Sequence, residues 1–279
     1  MSMNPKEAQH ASWTAVSPGW KKHDTRLVEA ATPVTERLLD RAGVRSGMRV
    51  LDIASGTGEP AIPAARRVGP SGSVLGTDFV EPMLAFAREK AAAAGLTHVE
   101  FRCVDGEIID VAPASFDAAT IRWGIMFMPD ALACLRQVHR ALRSGGHLAV
   151  ACWASPDKNP WASIPMKVVM KHANVAPPPQ GAPGIFAYAE RDRLEGVLIE
   201  AGFRSIAVEP VDLTMASFDT AAEFWDYTRE LAGPIAALFA RLSPEQQAVA
   251  TSEVLAEVAR VSPGKTILTG VTWVASGEK

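Results

Sequence analysis

The sequence predicts an α/β fold, a doubly wound parallel sheet of about seven strands. Three observations carry that reading. Apolar runs of strand length alternate with helix-length segments from Met48 onward. A glycine-rich turn, Gly56-Thr57-Gly58, closely follows the first of those runs. At 279 residues and 48% hydrophobic, the chain is long enough to cover such a sheet on both faces and still carry additions.

Residues 1 to about 25 are polar, with Trp13 and Trp20 as isolated large apolar groups. Apolar residues then recur at helical spacing from Leu27 to Arg41, and Gly43 is a stop signal. Met48–Ala54 reads as the first buried strand. Pro60–Val68 reads as a helix, its prolines confined to the opening turn, where a missing N–H costs little. Val74–Thr77, His98–Cys103, Phe116–Arg122 and His147–Trp153 read as further strands. Between them lie an alanine-rich helix, Pro82–Ala94, and a helix at Asp130–Leu142 that Gly145-Gly146 should stop. The alternation breaks after Pro156: a helix at Trp161–His172 precedes "APPPQGAPG", which is loop. A helix over Arg191–Ala201, a strand over Ser205–Leu213, a helical stretch over Thr220–Val261 and a last strand over Thr266–Val274 complete the chain.

The expected division is an N-terminal lid and first helix (1–44), a cofactor-binding core (45–155) and a cap insertion (156–188). The C-terminal part of the core follows (189–279), with a helical insertion at 220–262. Both insertions should lie over one end of the sheet. Ligands of such sheets sit at the carboxyl ends of the strands, where strand order reverses.

Composition excludes several function classes. A net charge of −3 and only short basic pairs, Lys21-Lys22 and Arg66-Arg67, argue against a nucleic-acid partner. The three cysteines are scattered, with no metal-ligand or disulfide spacing, so no metal is expected. No apolar run reaches membrane-spanning length and no signal pattern opens the chain, so a cytoplasmic protein, monomer or homodimer, is expected.

Gly56-Thr57-Gly58-Glu59-Pro60-Ala61 formally matches the dinucleotide fingerprint, a weak signal by itself. Asp52 and Glu59 argue against a pyrophosphate: like charges would meet in a poorly solvated cleft, and Glu59 would compete for the helix N-terminus. Neither tyrosine has a lysine four residues on, so one common hydride-transfer arrangement is missing. A ligand with adenosine, no phosphates and a cation in their place suits Asp52 better; S-adenosylmethionine is such a ligand. Asp52 otherwise serves as a turn cap. Asp78, twenty residues after Gly58, stands where a carboxylate accepts ribose hydroxyls. Asp105 stands where the adenine amino group would be, and Met83 packs either on the adenine face or in the core.

These segments, "VLDIASGTG", "GTDFVEPML", "CVDGE" and "ALRSGGHLAV", resemble the class I S-adenosylmethionine-dependent methyltransferases, especially the quinone-biosynthesis C-methyltransferase branch. The resemblance is close over about Arg45–Trp153 and topological over Tyr188–Val274. It implies a Rossmann-like seven-stranded sheet with the last strand antiparallel and helical cap insertions. It places Gly56 and Gly58 beside the methionine part, Asp78 on the ribose, and Asp105 with Gly106 on the adenine. The cofactor-binding set expected is then Asp52, Ala54, Gly56, Gly58, Asp78, Phe79, Met83, Asp105, Gly106 and Arg122, the last either ligand-facing or structurally paired. Two departures stand out. Val80 replaces the Ser or Thr that often caps the next helix. Met126 and Phe127 stand where relatives often carry polar groups.

Methyl transfer from a sulfonium needs alignment and a dry cavity, and a base only when the acceptor stays protonated. Trp20, Trp123, Met126, Phe127, Trp153 and Trp161 are the expected substrate-binding residues, with core packing as the alternative for each. His10, His23 and His172 are candidate bases, of which His23 and His172 are retained as weak catalytic candidates. His98, His139 and His147 read as structural. The expected activity is methyl transfer to a small, largely apolar or aromatic metabolite. An NAD-dependent oxidoreductase and a non-catalytic S-adenosylmethionine-binding protein are the alternatives.

Overall fold

A computed structural model describes residues 4–279. Two helices, α1 (Pro5–Lys22) and α2 (Asp24–Arg41), precede the sheet. Strands and helices then alternate: β1 (Arg49–Ile53), α3 (Ala61–Val68), β2 (Ser73–Asp78), α4 (Glu81–Ala93), β3 (Val99–Cys103), β4 (Phe116–Arg122), α5 (Ala131–Ala141) and β5 (Leu142–Trp153). The first insertion holds α6 (Pro160–His172), followed by α7 (Arg191–Glu200) and β6 (Arg204–Phe218). Helices α8 (Ala221–Leu231), α9 (Gly233–Phe239) and α10 (Pro244–Val261) lead into β7 (Thr266–Glu278).

The seven strands lie in the order β3-β2-β1-β4-β5-β7-β6. β1 through β5 pair in parallel, and β7 is antiparallel to both β5 and β6. Central strands of a parallel sheet are covered on both faces, which is why Val50, Leu51 and Ile53 of β1 and Ala118, Ala119 and Ile121 of β4 are fully buried. The chain runs outward from β1 to β3 and then returns to β4 on the other side of β1. Strand order therefore reverses between β1 and β4, and a crevice opens at their carboxyl ends.

The insertions build a second core beside the first. Val168 and Val169 of α6 pack with Phe224 and Trp225 of α8, Phe239 of α9 and Val254 and Val258 of α10. The far ends of β6 and β7 join them through Phe218 and Leu268. No helix among the described residues is long and apolar enough to cross a membrane.

Three boundaries differ from the sequence expectation. Residues 5–22, read as a polar segment, form an 18-residue helix. Asn4 and Glu7 close a capping box at its start, and Pro18 sits inside it. β5 begins at Leu142, so Gly145-Gly146 lies within the strand, where pairing with β4 shifts register between Phe116 and Ala118. β6 and β7 run on past Leu213 and Val274, because the end of β6 pairs with the start of β7 and the end of β7 pairs with β5 and the start of β6.

Candidate functional site

A cavity opens at the switch point between β1 and β4. Its floor comes from strand ends. After β1 the chain turns through Ala54 at φ 57° and Gly56 at φ 51°. The Ser55 N–H donates to the Thr77 carbonyl (2.9 Å), and the N–H groups of Gly58 and Glu59 donate back to the Ser55 carbonyl (2.8 and 3.0 Å). Gly56 faces open space: an added Cβ would meet only Met83 Sδ, at 3.9 Å. Gly58 has a different task. At φ 100° its Cβ would come within 2.7 Å of Ile62 Cδ1, so that glycine serves close packing of the turn on α3 rather than the cavity.

Asp78 ends β2 at the cavity wall. Its Oδ2 accepts the Gly56 N–H and its Oδ1 accepts the Val80 N–H, both at 2.9 Å. That second bond explains how α4 starts without a capping side chain at Val80: the carboxylate two residues earlier takes the amide. Burial pushes the Asp78 carboxyl up, while the amides of Val80 and Gly56 pull it down. Each oxygen keeps a lone pair for a further donor.

Asp105, Gly106 and Glu107 line the neighbouring wall. Asp105 Oδ1 accepts the Glu107 N–H (2.9 Å), and Glu107 Oε1 accepts the Asp130 N–H (2.9 Å). Lys6 of α1 reaches across the mouth, its ammonium 2.5 Å from Asp105 and 2.6 Å from Glu107. Burial lowers the Lys6 pKa, but the two carboxylates outweigh this and hold it above the usual lysine value.

The far end carries a different chemistry. Trp123 occupies a left-handed backbone conformation, φ 56°, rare for a bulky residue. Its neighbours hold it there. Its N–H donates to the Ala151 carbonyl (3.0 Å), and its indole Nε1 donates to Thr272 Oγ1 (3.0 Å). Its ring stacks on Trp153 at 4.4 Å, and the Arg122 guanidinium lies 5.0 Å from the ring. Such strain persists where the surroundings over-determine it. Trp13 of α1 packs edge-on against Phe127 (5.1 Å) and Trp20 (6.2 Å), and all three line the cavity.

Arg122 and Glu59 stand between the two ends, both in the cavity wall. Arg122 Nη1 donates to Thr35 Oγ1 (2.8 Å) and forms no ion pair among the described residues. Burial lowers its pKa, and the carboxylates of Glu59, Asp52 and Asp24 raise it. Burial pushes Glu59 up against the pull of Arg122 and Lys90. The pair offers an anion site and a cation site side by side, which fits the carboxylate and ammonium of an amino-acid tail. It does not fit a pyrophosphate, which would meet the Glu59 carboxylate and the N–H-less Pro60 at the start of α3.

Of the expected cofactor residues, Ala54, Gly56, Asp78, Phe79, Met83, Asp105, Gly106 and Arg122 line the cavity. Asp52 does not. It is fully buried beneath the wall, its Oδ1 taking the Thr120 hydroxyl (2.7 Å) and its Oδ2 without a partner. Burial pushes its carboxyl up to about 7. Glu59, one turn later, stands at the surface that Asp52 was expected to occupy. Gly58 also lies behind the wall.

On the acceptor side Trp20, Trp123 and Phe127 line the cavity, whereas Met126, Trp153 and Trp161 do not. Met126 and Trp153 are buried core. Trp161 packs on Trp153 at 4.7 Å and donates to Asn159 Oδ1 (3.1 Å), one layer behind Trp123. His23 and His172 lie outside the cavity. Each meets a glutamate of another helix, His23 with Glu230 (2.6 Å) and His172 with Glu253 (2.8 Å). His10 packs edge-on against Phe79 at 5.5 Å. Sequence reasoning missed Lys6, Gln9 and Trp13 as wall residues. Their spacing of three and four is helical and was the available signal. Glu107 was missed too, two residues beyond the expected Asp105.

The model of the ubiE/COQ5 methyltransferase family matches residues 34–173. A nocamycin O-methyltransferase of Saccharothrix syringae is 34% identical over 186 residues, 61% of this chain and 66% of that one. A demethylmenaquinone methyltransferase of Listeria monocytogenes is 30% identical over 165 residues, 59% of this chain and 70% of that one. Among solved structures, the [4+2]-cyclase SpnF superposes with a TM-score of 0.56 at 21% identity, over 90% of this chain and 82% of that one. At that identity the likeness is one of fold, and chemistry must be read from the site.

Proposed function

The chain belongs to the ubiE/COQ5 methyltransferase family, and on that premise we propose that this S-adenosylmethionine-dependent enzyme methylates a small, largely apolar or aromatic metabolite. One observation carries the reading of the acceptor: the cavity is polar and acidic at one end and walled by indoles at the other.

When bound, S-adenosylmethionine supplies a methyl group on a sulfonium, already activated for in-line displacement. In this reading Asp78 accepts from the ribose hydroxyls, since its oxygens retain lone pairs beside the amides they already hold. Asp105 and Gly106 take the adenine. Open space over Gly56 admits close backbone approach to the amino-acid tail, with Arg122 receiving its carboxylate and Glu59 its ammonium. Asp52 supports the strand end from below without contact, holding the Thr120 hydroxyl.

The wall contains no histidine, cysteine or tyrosine among the described residues. Glu59, Asp78, Asp105 and Glu107 are committed to the cofactor side. Catalysis then rests on alignment and exclusion of water, with the acceptor arriving ionised or electron-rich. Trp123, Trp13 and Phe127 offer flat apolar faces for a ring, and indole faces also favour a nearby cation. The two relatives named above carry O-methyltransferase and demethylmenaquinone methyltransferase in their names, and acidic hydroxyl or quinol acceptors suit a wall without a base.

The test is methyl transfer from labelled S-adenosylmethionine to a panel of naphthoquinols, phenols and stabilised enols, with aliphatic amines as the contrast. Transfer to flat, ionisable acceptors, rising with pH through the acceptor's own pKa, is expected. Preference for the amines, or a pH profile independent of acceptor pKa, would contradict the reading.

A further inference from the structure

Helix α1 is held differently at its two ends. At its C-terminal end Gly19 lies so close to α8 that an added Cβ would run into the Glu230 carbonyl oxygen. Trp20 Nε1 donates to the Leu231 carbonyl (3.1 Å), and Lys22 and His23 both pair with Glu230 (2.8 and 2.6 Å). The N-terminal half faces the cavity with Lys6, Gln9 and Trp13. Its ion pairs among the described residues are those of Lys6 alone, with Asp105 and Glu107.

Between the two ends the helix is weak. Pro18 has no N–H for the Thr14 carbonyl, and the Ser17 hydroxyl donates to that carbonyl instead (2.9 Å). The Ser12 and Thr14 hydroxyls are buried without partners, so docking of this segment leaves polar groups unsatisfied. Interior prolines are where helices bend.

We propose that Lys6 is a positioning residue that latches α1 over the adenosine end of the site. By bridging Asp105 and Glu107 it sets how long the cofactor and its product stay bound, and its release frees the first turns of α1, ahead of the close contact of Ser12 with Gly233 of α9. The inference rests on the cofactor reading above. Three features make the bridge the controlling interaction. It spans the mouth between two elements about a hundred residues apart in sequence. Its partners are already fixed by the amides of Glu107 and Asp130, so the ammonium closes onto a preformed pair of carboxylates. Its side chains are only partly exposed, at 34%, 25% and 12%, so the pairing is strong enough to matter and open enough to respond to salt.

The experiment follows release of tritiated S-adenosylhomocysteine from the full chain after a chase with excess unlabelled compound, at low and high sodium chloride. Wild type, K6Q and K21Q are compared. Lys21 pairs with Glu89 at the exposed surface of the same helix and controls for a general loss of charge. K6Q should release the label about tenfold faster, the scale of removing one charge-assisted hydrogen bond. Wild-type release should quicken with salt, K6Q release should not, and K21Q should follow wild type. Equal rates and equal salt slopes for wild type and K6Q would overturn the latch while leaving the cofactor reading intact. A wild type that retains no label overturns the cofactor reading and the latch with it.

Discussion

The two ends of the cavity are built by opposite means. The acidic end is made from strand termini: Asp78 closes β2, Asp105 follows β3, and backbone amides of the adjoining turns hold both carboxylates. The aromatic end gathers Trp13 and Trp20 from α1 with Trp123 and Phe127 from beyond β4, two groups far apart in the chain. The first end is polar, locally encoded and satisfied by its own backbone. The second is apolar and exists only once α1 has docked. A ligand common to a whole family can be read by the first kind of construction, while the second is free to vary with the acceptor.

The largest effect that would sharpen this contrast concerns Asp52, the charge hidden under the polar end. An aspartate in the unfolded chain loses its proton near pH 4; Asp52 in the fold loses it at about 7. Below both values the group is protonated in either state and its stabilising contribution is complete. As pH rises between them the folded chain keeps a proton the unfolded chain has lost, so stability falls, by at most about 4 kcal/mol in total. D52N should remove that slope. Denaturant titrations should find it close to wild type in acid and more stable above pH 7. Parallel pH profiles for the two proteins would show that the carboxylate is relieved by a partner.

A smaller effect probes the aromatic end. Thr272 Oγ1 accepts from Trp123 and donates to the Cys152 carbonyl (2.8 Å). T272V leaves the indole N–H unpaired and removes the hydroxyl's bond to that carbonyl, and should cost about 1–2 kcal/mol in thermal or chemical unfolding. T272S keeps the hydroxyl and should recover most of it. Equal losses in both would assign the effect to the methyl group and its packing instead.

Smallest of all should be the histidine changes. H23A and H172A each remove a partly exposed pair with glutamate, worth less than about 1 kcal/mol. Because neither ring lines the cavity, turnover of an ionisable acceptor should stay near the wild-type rate in both. A large loss in either would bring a base back to the aromatic end and blur the distinction between the two.

The same contrast explains what was legible in the sequence. Strands β1 to β4, the glycine turn and the carboxylates at strand ends follow from local pattern, and the sheet followed with them. Asp52 was expected at the cavity beside Glu59 and lies beneath its wall instead, because the two acids straddle one tight turn and only the turn's geometry decides which faces the cavity. Helix α1 escaped notice because Pro18 and a polar composition argue against a helix, whereas its stability comes from a capping box and from docking on α4, α8 and α9. Trp153 and Trp161 looked like pocket residues. They stack behind Trp123 instead, an outcome set by tertiary packing that no local spacing records.

The central claim is that the polar end holds S-adenosylmethionine through Asp78. Calorimetric titration of S-adenosylhomocysteine into wild type and D78A, with NADH as the contrasting ligand, tests it most directly. The account predicts binding to wild type, a drop of about a hundredfold in D78A, on the scale of a buried charged hydrogen-bonding group removed, and no heat from NADH. Undiminished affinity in D78A, or binding of NADH in place of S-adenosylhomocysteine, would contradict it.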